Sequence, residues 1–137
     1  MTSTNLERLR TQYKKYKLSE DDLHFLEFGK TKIPIIKRTG IDKIQAIENI
    51  KINYDCIEYT PGISAATKAT ATLNDLMIES FGEANTKNNK NAYPLAMAEK
   101  RAMSRVILKL TGFYELGVYG EDEIEEPKNP TKPWKNI

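Results

Sequence analysis

The sequence predicts an α+β fold in which helices cover one face of a small antiparallel sheet. Two observations carry that reading. Three strand-like runs joined by tight-turn signals lie between residues 52 and 82, and the longest amphipathic stretch, residues 92–111, follows them. Helical segments precede the strands, so the expected layout is N-terminal helices, a three-stranded antiparallel sheet, and a long C-terminal helix packed on it as a β-β-β-α core. At 137 residues the chain is one domain's worth, with room for a single hydrophobic core. The expected division is one domain over 1–120 and an acidic, proline-rich flexible tail over 121–137.

Each element has its own signal. Residues 4–17 read as a helix opened by Thr4 or Asn5, with Leu6, Leu9, Tyr13 and Tyr16 at helical spacing. Ser19 followed by Glu20, Asp21 and Asp22 reads as the start of a second short helix, because carboxylates suit a first turn. Leu23, Phe25, Leu26 and Phe28 continue it until Gly29 stops it. Residues 32–37 read as extended, with Pro34 suited to an edge. After Thr39-Gly40, a helix over about 41–50 carries Ile41, Ile44, Ile47 and Ile50.

The strands follow. Ile52, Tyr54 and Cys56 alternate with Asn53 and Asp55, and Pro61-Gly62 turns the chain. Residues 63–73 alternate in the same way, Asn74-Asp75 signals a hairpin, and Leu76 to Gly82 forms the third run. Residues 85–91 are an asparagine-rich loop. In 92–111, Pro94 sits in the first turn, where its missing amide proton costs nothing, and Gly112 ends the helix. Leu95, Ala98, Ala102, Val106 and Leu110 form one broad apolar face, with Arg101 and Arg105 one turn apart on another.

Composition narrows the function. No apolar run reaches the ~18 residues that span a bilayer, and MTSTNLERLR lacks the apolar stretch of a signal peptide, so a cytoplasmic protein is expected, with no membrane partner. His24 and Cys56 are the only residues of their kinds, which leaves no ligand set for zinc. His24 reads as a packing or surface residue and Cys56 as a buried, inert thiol. No glycine-rich phosphate loop is present, and the carboxylate and lysine spacings of a metal-dependent nuclease are missing from the body of the chain. The sequence therefore predicts a protein that is not an enzyme, with no catalytic residues, metal or cofactor.

The net charge of +2 is unevenly spread: residues 1–120 hold 18 Lys/Arg against 14 Asp/Glu, and residues 121–137 hold 3 against 5. Within the body, 30–43 and 87–109 are basic patches, which read either as solvated surface or as an anion-binding track.

The segment Asn91-Ala92-Tyr93-Pro94-Leu95-Ala96-Met97-Ala98-Glu99-Lys100-Arg101-Ala102-Met103-Ser104-Arg105 continues to Thr111-Gly112-Phe113, with Tyr119-Gly120-Glu121-Asp122-Glu123 soon after. It resembles a pattern of phage and plasmid single-strand-annealing proteins and their small relatives, in which a Pro-x-x-Met-Ala-Glu-x-Arg-Ala-x-x-Arg helix precedes an acidic segment. Ile35-Ile36-Lys37-Arg38-Thr39-Gly40-Ile41-Asp42-Lys43-Ile44 is similar to an upstream element of that group. The matches span about residues 30–123. The resemblance implies a Rad-fifty-two-like fold, a β-β-β-α core with its long helix on a curved sheet. It also implies single-stranded-DNA binding in phage-type replication and recombination, with strand annealing as an associated activity.

A binder of single strands needs cations for phosphates and flat side chains for unstacked bases. The expected DNA-binding residues are Lys37, Arg38, Lys43, Lys100, Arg101, Arg105 and Lys109, with Tyr54 and Tyr93 as stacking partners and Tyr59 and Phe81 as further aromatics. Core packing is the ordinary alternative for each aromatic, and an internal ion pair is the alternative for Arg101. Placed off the apolar face, Arg101 and Arg105 are expected to be removable together without unfolding the domain. Glu99 falls within the apolar face and is expected to need a partner such as Arg38.

The tail is expected to stay outside the core, its acids competing with DNA, and Trp134 to dock a replication or recombination protein or a neighbouring subunit of a homo-oligomer. Two other readings stay open: an interaction or regulatory module whose acidic tail binds a protein partner, and an enzyme acting on nucleic acid.

Overall fold

The computed structural model describes residues 3–124 and 130–135. Helix α1 spans Ser3–Lys15 and buries Leu9 and Tyr13, and Tyr16, just past its end, is buried with them. Both tyrosine rings pack on Phe113, with centroids 6.1 and 5.8 Å away. Lys17 then takes a left-handed conformation (φ 56°) that reverses the chain.

The capping signal at Ser19 is real, but the helix expected after it is not. Ser19 Oγ accepts from the Asp21 amide and the Asp22 carboxylate accepts from the Ser19 amide, yet the helical turn lasts only over Glu20–Asp22. The chain then extends as β1 (Leu23–Phe28), which pairs antiparallel with β2 (Thr31–Ile36) from Leu23↔Ile36 to Phe28↔Thr31. The nine residues from Glu20 to Phe28 make a short helix that repays nucleation poorly, whereas β2 offers a ladder partner for the backbone of β1. Gly29 (φ 57°), read as a helix stop, is a hairpin residue.

Helix α2 (Arg38–Glu48) ends on a left-handed Asn49. Ile41, Ile44 and Ile50 are buried, while Ile47 stays exposed. The three expected strands follow as β3 (Lys51–Thr60), β4 (Ser64–Leu73) and β5 (Leu76–Ala84), antiparallel in the order β3-β4-β5. Helix α3 (Pro94–Leu110) lies over β4 and β5. Small residues let it come close. Ala65, Ala69 and Ala71 face it from β4, and a Cβ on Gly82 would collide with the Ala98 carbonyl and the Ala102 amide. Because α3 leaves β3 largely uncovered, Cys56 is exposed, not buried as its alternation predicts.

A second, mixed sheet completes the fold. β6 (Tyr119–Gly120) pairs parallel with β2, and β7 (Lys132–Pro133) pairs antiparallel with β1, in the order β6-β2-β1-β7. Pro34 is tolerated in β2 because β6 pairs only with Ile35 and Ile36.

The tail accordingly departs from the expectation of an outlying segment. Residues 121–124 pack beside α3 and residues 130–135 lie along β1, while 125–129 fall outside the described residues. Trp134 is half-buried and set edge-on to Phe25 at 5.9 Å, so part of its ring packs within the chain. His24 sits on β1, its Nδ1 2.7 Å from Thr131 Oγ1.

Candidate nucleic-acid interface

Arg101 and Arg105 lie one turn apart on α3, as the spacing predicts, but Arg101 is covered and Arg105, 35% exposed, is held by internal partners. Arg101 is only 4% exposed. Its Nε donates to the Asp122 carbonyl (2.8 Å), Nη1 to the Glu83 carbonyl (2.7 Å) and Asn88 Oδ1 (3.0 Å), and Nη2 to the Asn88 carbonyl (2.7 Å). Arg105 pairs with Glu123 at 2.8 Å and donates to the Phe81 carbonyl at 2.6 Å. The two arginines thus join α3 to β5, the asparagine loop and the acidic turn Glu121–Glu123. A planar fork with five donors suits such bridging of carbonyls, and a buried guanidinium needs it.

The acidic turn is held from both sides. Glu123 Oε2 accepts from the Gly120 amide at 2.8 Å, and Glu121 Oε1 accepts from the Arg38 amide, the first of α2, also at 2.8 Å. A carboxylate at a helix N-terminus is favoured by the unpaired amides there.

The other expected cations are scattered. Lys43 reaches Asp22 at 2.6 Å, where the same carboxylate accepts from Thr39 Oγ1. Burial alone would raise the Asp22 pKa, but Lys43, the Ser19 amide and Thr39 outweigh it and hold it below the ordinary value. Arg38 pairs with Asp42 on its own helix. Lys109 donates to Ser80 Oγ and lies over the Tyr114 ring, and Lys37 is half-buried. Glu99 is exposed, so it needs no internal partner, and Arg38 does not serve as one. Tyr54 is half-buried, its phenol pushed up to about 12 by burial and by Glu99 nearby. Tyr59 and Phe81 are about half exposed, and Tyr93 is 71% exposed beside the start of α3.

One groove gathers several of these groups. It has a volume of about 770 Å³ and is lined by Asn88, Asn89, Lys90, Asn91, Met97, Lys100, Arg101, Glu121, Asp122, Ile124, Pro130 and Thr131. Lys90 and Lys100 are exposed, while Arg101 lies at the base. The asparagine loop is built by its own side chains. Asn85 Oδ1 accepts from the Lys87 amide, Asn88 Oδ1 from the Asn85 amide, and Asn91 Oδ1 from the Tyr93 amide. Asx turns of this kind fix a loop without regular structure. Asp122 lies partly buried in the groove, its pKa raised by burial and by Glu121, and its Oδ2 has no hydrogen-bond partner.

Of the residues expected from sequence, Lys100 and Arg101 meet in this groove, and Tyr93 is two residues from its wall. Lys37, Arg38, Lys43, Arg105, Lys109 and Tyr54 do not line it. Sequence reasoning missed Asn88, Lys90, Asn91, Asp122 and Thr131. The run of four asparagines and two lysines at 85–91 was the available signal.

No protein-family model, curated protein or solved structure matches the chain. Among the described residues, no helix is long and apolar enough to cross a membrane, and no group of three His, Cys, Asp or Glu side chains is placed to hold a metal ion.

Proposed function

We propose that the chain is a sequence-independent, single-stranded-DNA-binding protein of phage-type replication and recombination, without enzymatic activity, and that the strand runs through the groove between the asparagine loop and residues 130–131. The observation that carries this reading is the groove itself, which pairs the two exposed lysines Lys90 and Lys100 with a lining of amides and carboxylates. Phosphates suit the lysines. Base-edge acceptors suit the side-chain NH2 groups of Asn88 and Asn91, whose oxygens are already engaged within the loop. Tyr93 supplies an exposed ring next to that path, and such rings stack any base. A duplex buries the Watson–Crick edges and faces of its bases, which a single strand leaves free.

The alternative, an acidic tail that binds a protein partner, has less to recommend it: Glu121 and Glu123 already accept from the Arg38 amide and from Arg105. Anisotropy titrations with labelled single-stranded, duplex and RNA oligonucleotides over a range of salt test the proposal. Tighter binding to single-stranded DNA than to duplex, weakening linearly in log salt, is expected. Equal or tighter duplex binding, or affinity flat with salt, refutes it.

A further inference from the structure

We propose that residues 130–135 form a clasp that completes the groove, so that docking of this segment on β1 and nucleic-acid binding favour each other; the inference rests on the reading just given. Pro130 and Thr131 line the groove, as do residues of the asparagine loop and α3. The two sides are anchored independently. The asparagine loop is tied to α3 through Arg101. Among the described residues, the clasp is tied chiefly to β1: Thr131 Oγ1 meets His24 at 2.7 Å, the Trp134 amide donates to the Leu23 carbonyl at 3.3 Å, and the Trp134 ring sits against Phe25 and the edge of the core.

Among the described residues these anchors are slight: the ladder to β1 is two residues long, and a further side-chain link, Lys132 to Glu27, is exposed. A segment held this way opens far below the free energy of global unfolding. Its release would take away one wall of the groove and leave Lys100 on an open shelf, with fewer contacts to a strand. The bound state therefore selects the docked clasp, and by linkage a bound strand must strengthen docking by the same factor.

Trp134 is the chain's only tryptophan, so its fluorescence reports docking directly. Acrylamide quenching of the full-length protein is measured with and without a saturating thymidine oligonucleotide, and binding itself is followed by anisotropy of the labelled oligonucleotide. Quenching should fall on binding. Trp134→Ala should bind about five-fold more weakly or worse, mainly through faster dissociation. Phe25→Ala, which removes the ring's platform and keeps the reporter, should raise quenching and weaken binding together. Binding with quenching unchanged or increased, or variants that bind as tightly as the parent, overturns the clasp alone. Failure of the parent to bind at low salt overturns the nucleic-acid reading and the clasp with it.

Discussion

Arg101 grips Asn88 by both its side chain and its backbone, Nη1 lying 3.0 Å from Oδ1 and Nη2 2.7 Å from the carbonyl oxygen. One buried guanidinium therefore sets the position of a groove wall without facing solvent. An arginine placed to bind DNA by its spacing instead shapes the site from beneath.

Arg101→Ala should cost about 3 kcal/mol or more, because it strands the carbonyls of Glu83, Asn88 and Asp122 and leaves a void. The double change with Arg105→Ala should unfold much of the population under mild conditions, contrary to the sequence expectation that the domain stays folded without them. Urea denaturation followed by far-ultraviolet dichroism measures this. Arg101→Lys keeps the charge but should remain destabilised, since an ammonium cannot span the same carbonyls.

Lys90→Ala with Lys100→Ala should do the opposite. Both side chains are exposed, so the melting temperature should barely move. Single-strand affinity should drop, and the slope of log affinity against log salt should shrink by roughly 0.7 per lysine. An unchanged slope would place the strand elsewhere on the surface.

Gly82→Ala tests the closeness of β5 and α3. The added methyl would meet the Ala98 carbonyl, which is helix backbone and cannot rotate away. Destabilisation of about 1–3 kcal/mol or more is expected, read from the shift in urea midpoint.

Acid should weaken the fold through Asp22. Its carboxyl is held below the ordinary 3.8, chiefly by Lys43 against the opposing effect of burial, so the folded protein binds this proton less readily than the unfolded chain. The stability it contributes is complete above 3.8 and is lost as pH falls through the lower folded value. Asp22→Asn should be less stable at neutral pH and should flatten that part of the acid dependence, measured as urea midpoints against pH.

Much of the architecture was legible because its signals are local. Alternation marks β3 to β5, Pro94 and Gly112 bracket α3, and isoleucine spacing marks α2. What escaped depends on partners distant in sequence. β1 is a strand because β2 pairs with it, a fact that its capped, acidic start conceals. The pairings of Tyr119–Gly120 and Lys132–Pro133 span too few residues to leave a pattern. Helical periodicity placed Arg101 and Arg105 off the apolar face, correctly, but periodicity cannot reveal that β5 and the turn at 121–123 cover that second face.

The packing of Tyr13 and Tyr16 on Phe113 also has a meaning in time. About 100 residues separate the first helix from the ring that receives it, and Gln12 likewise bonds the Thr111 carbonyl at 2.6 Å. During synthesis the β1–β2 hairpin and the β3–β4–β5 meander can form from neighbouring residues as they emerge, and Lys15 and Tyr16 can reach Glu48 of α2, but the aromatic seat of α1 is missing until Phe113 has left the ribosome. Tyr13 must wait for that ring through the synthesis of the roughly 100 residues between them, so this contact is among the least local in the fold and closes late.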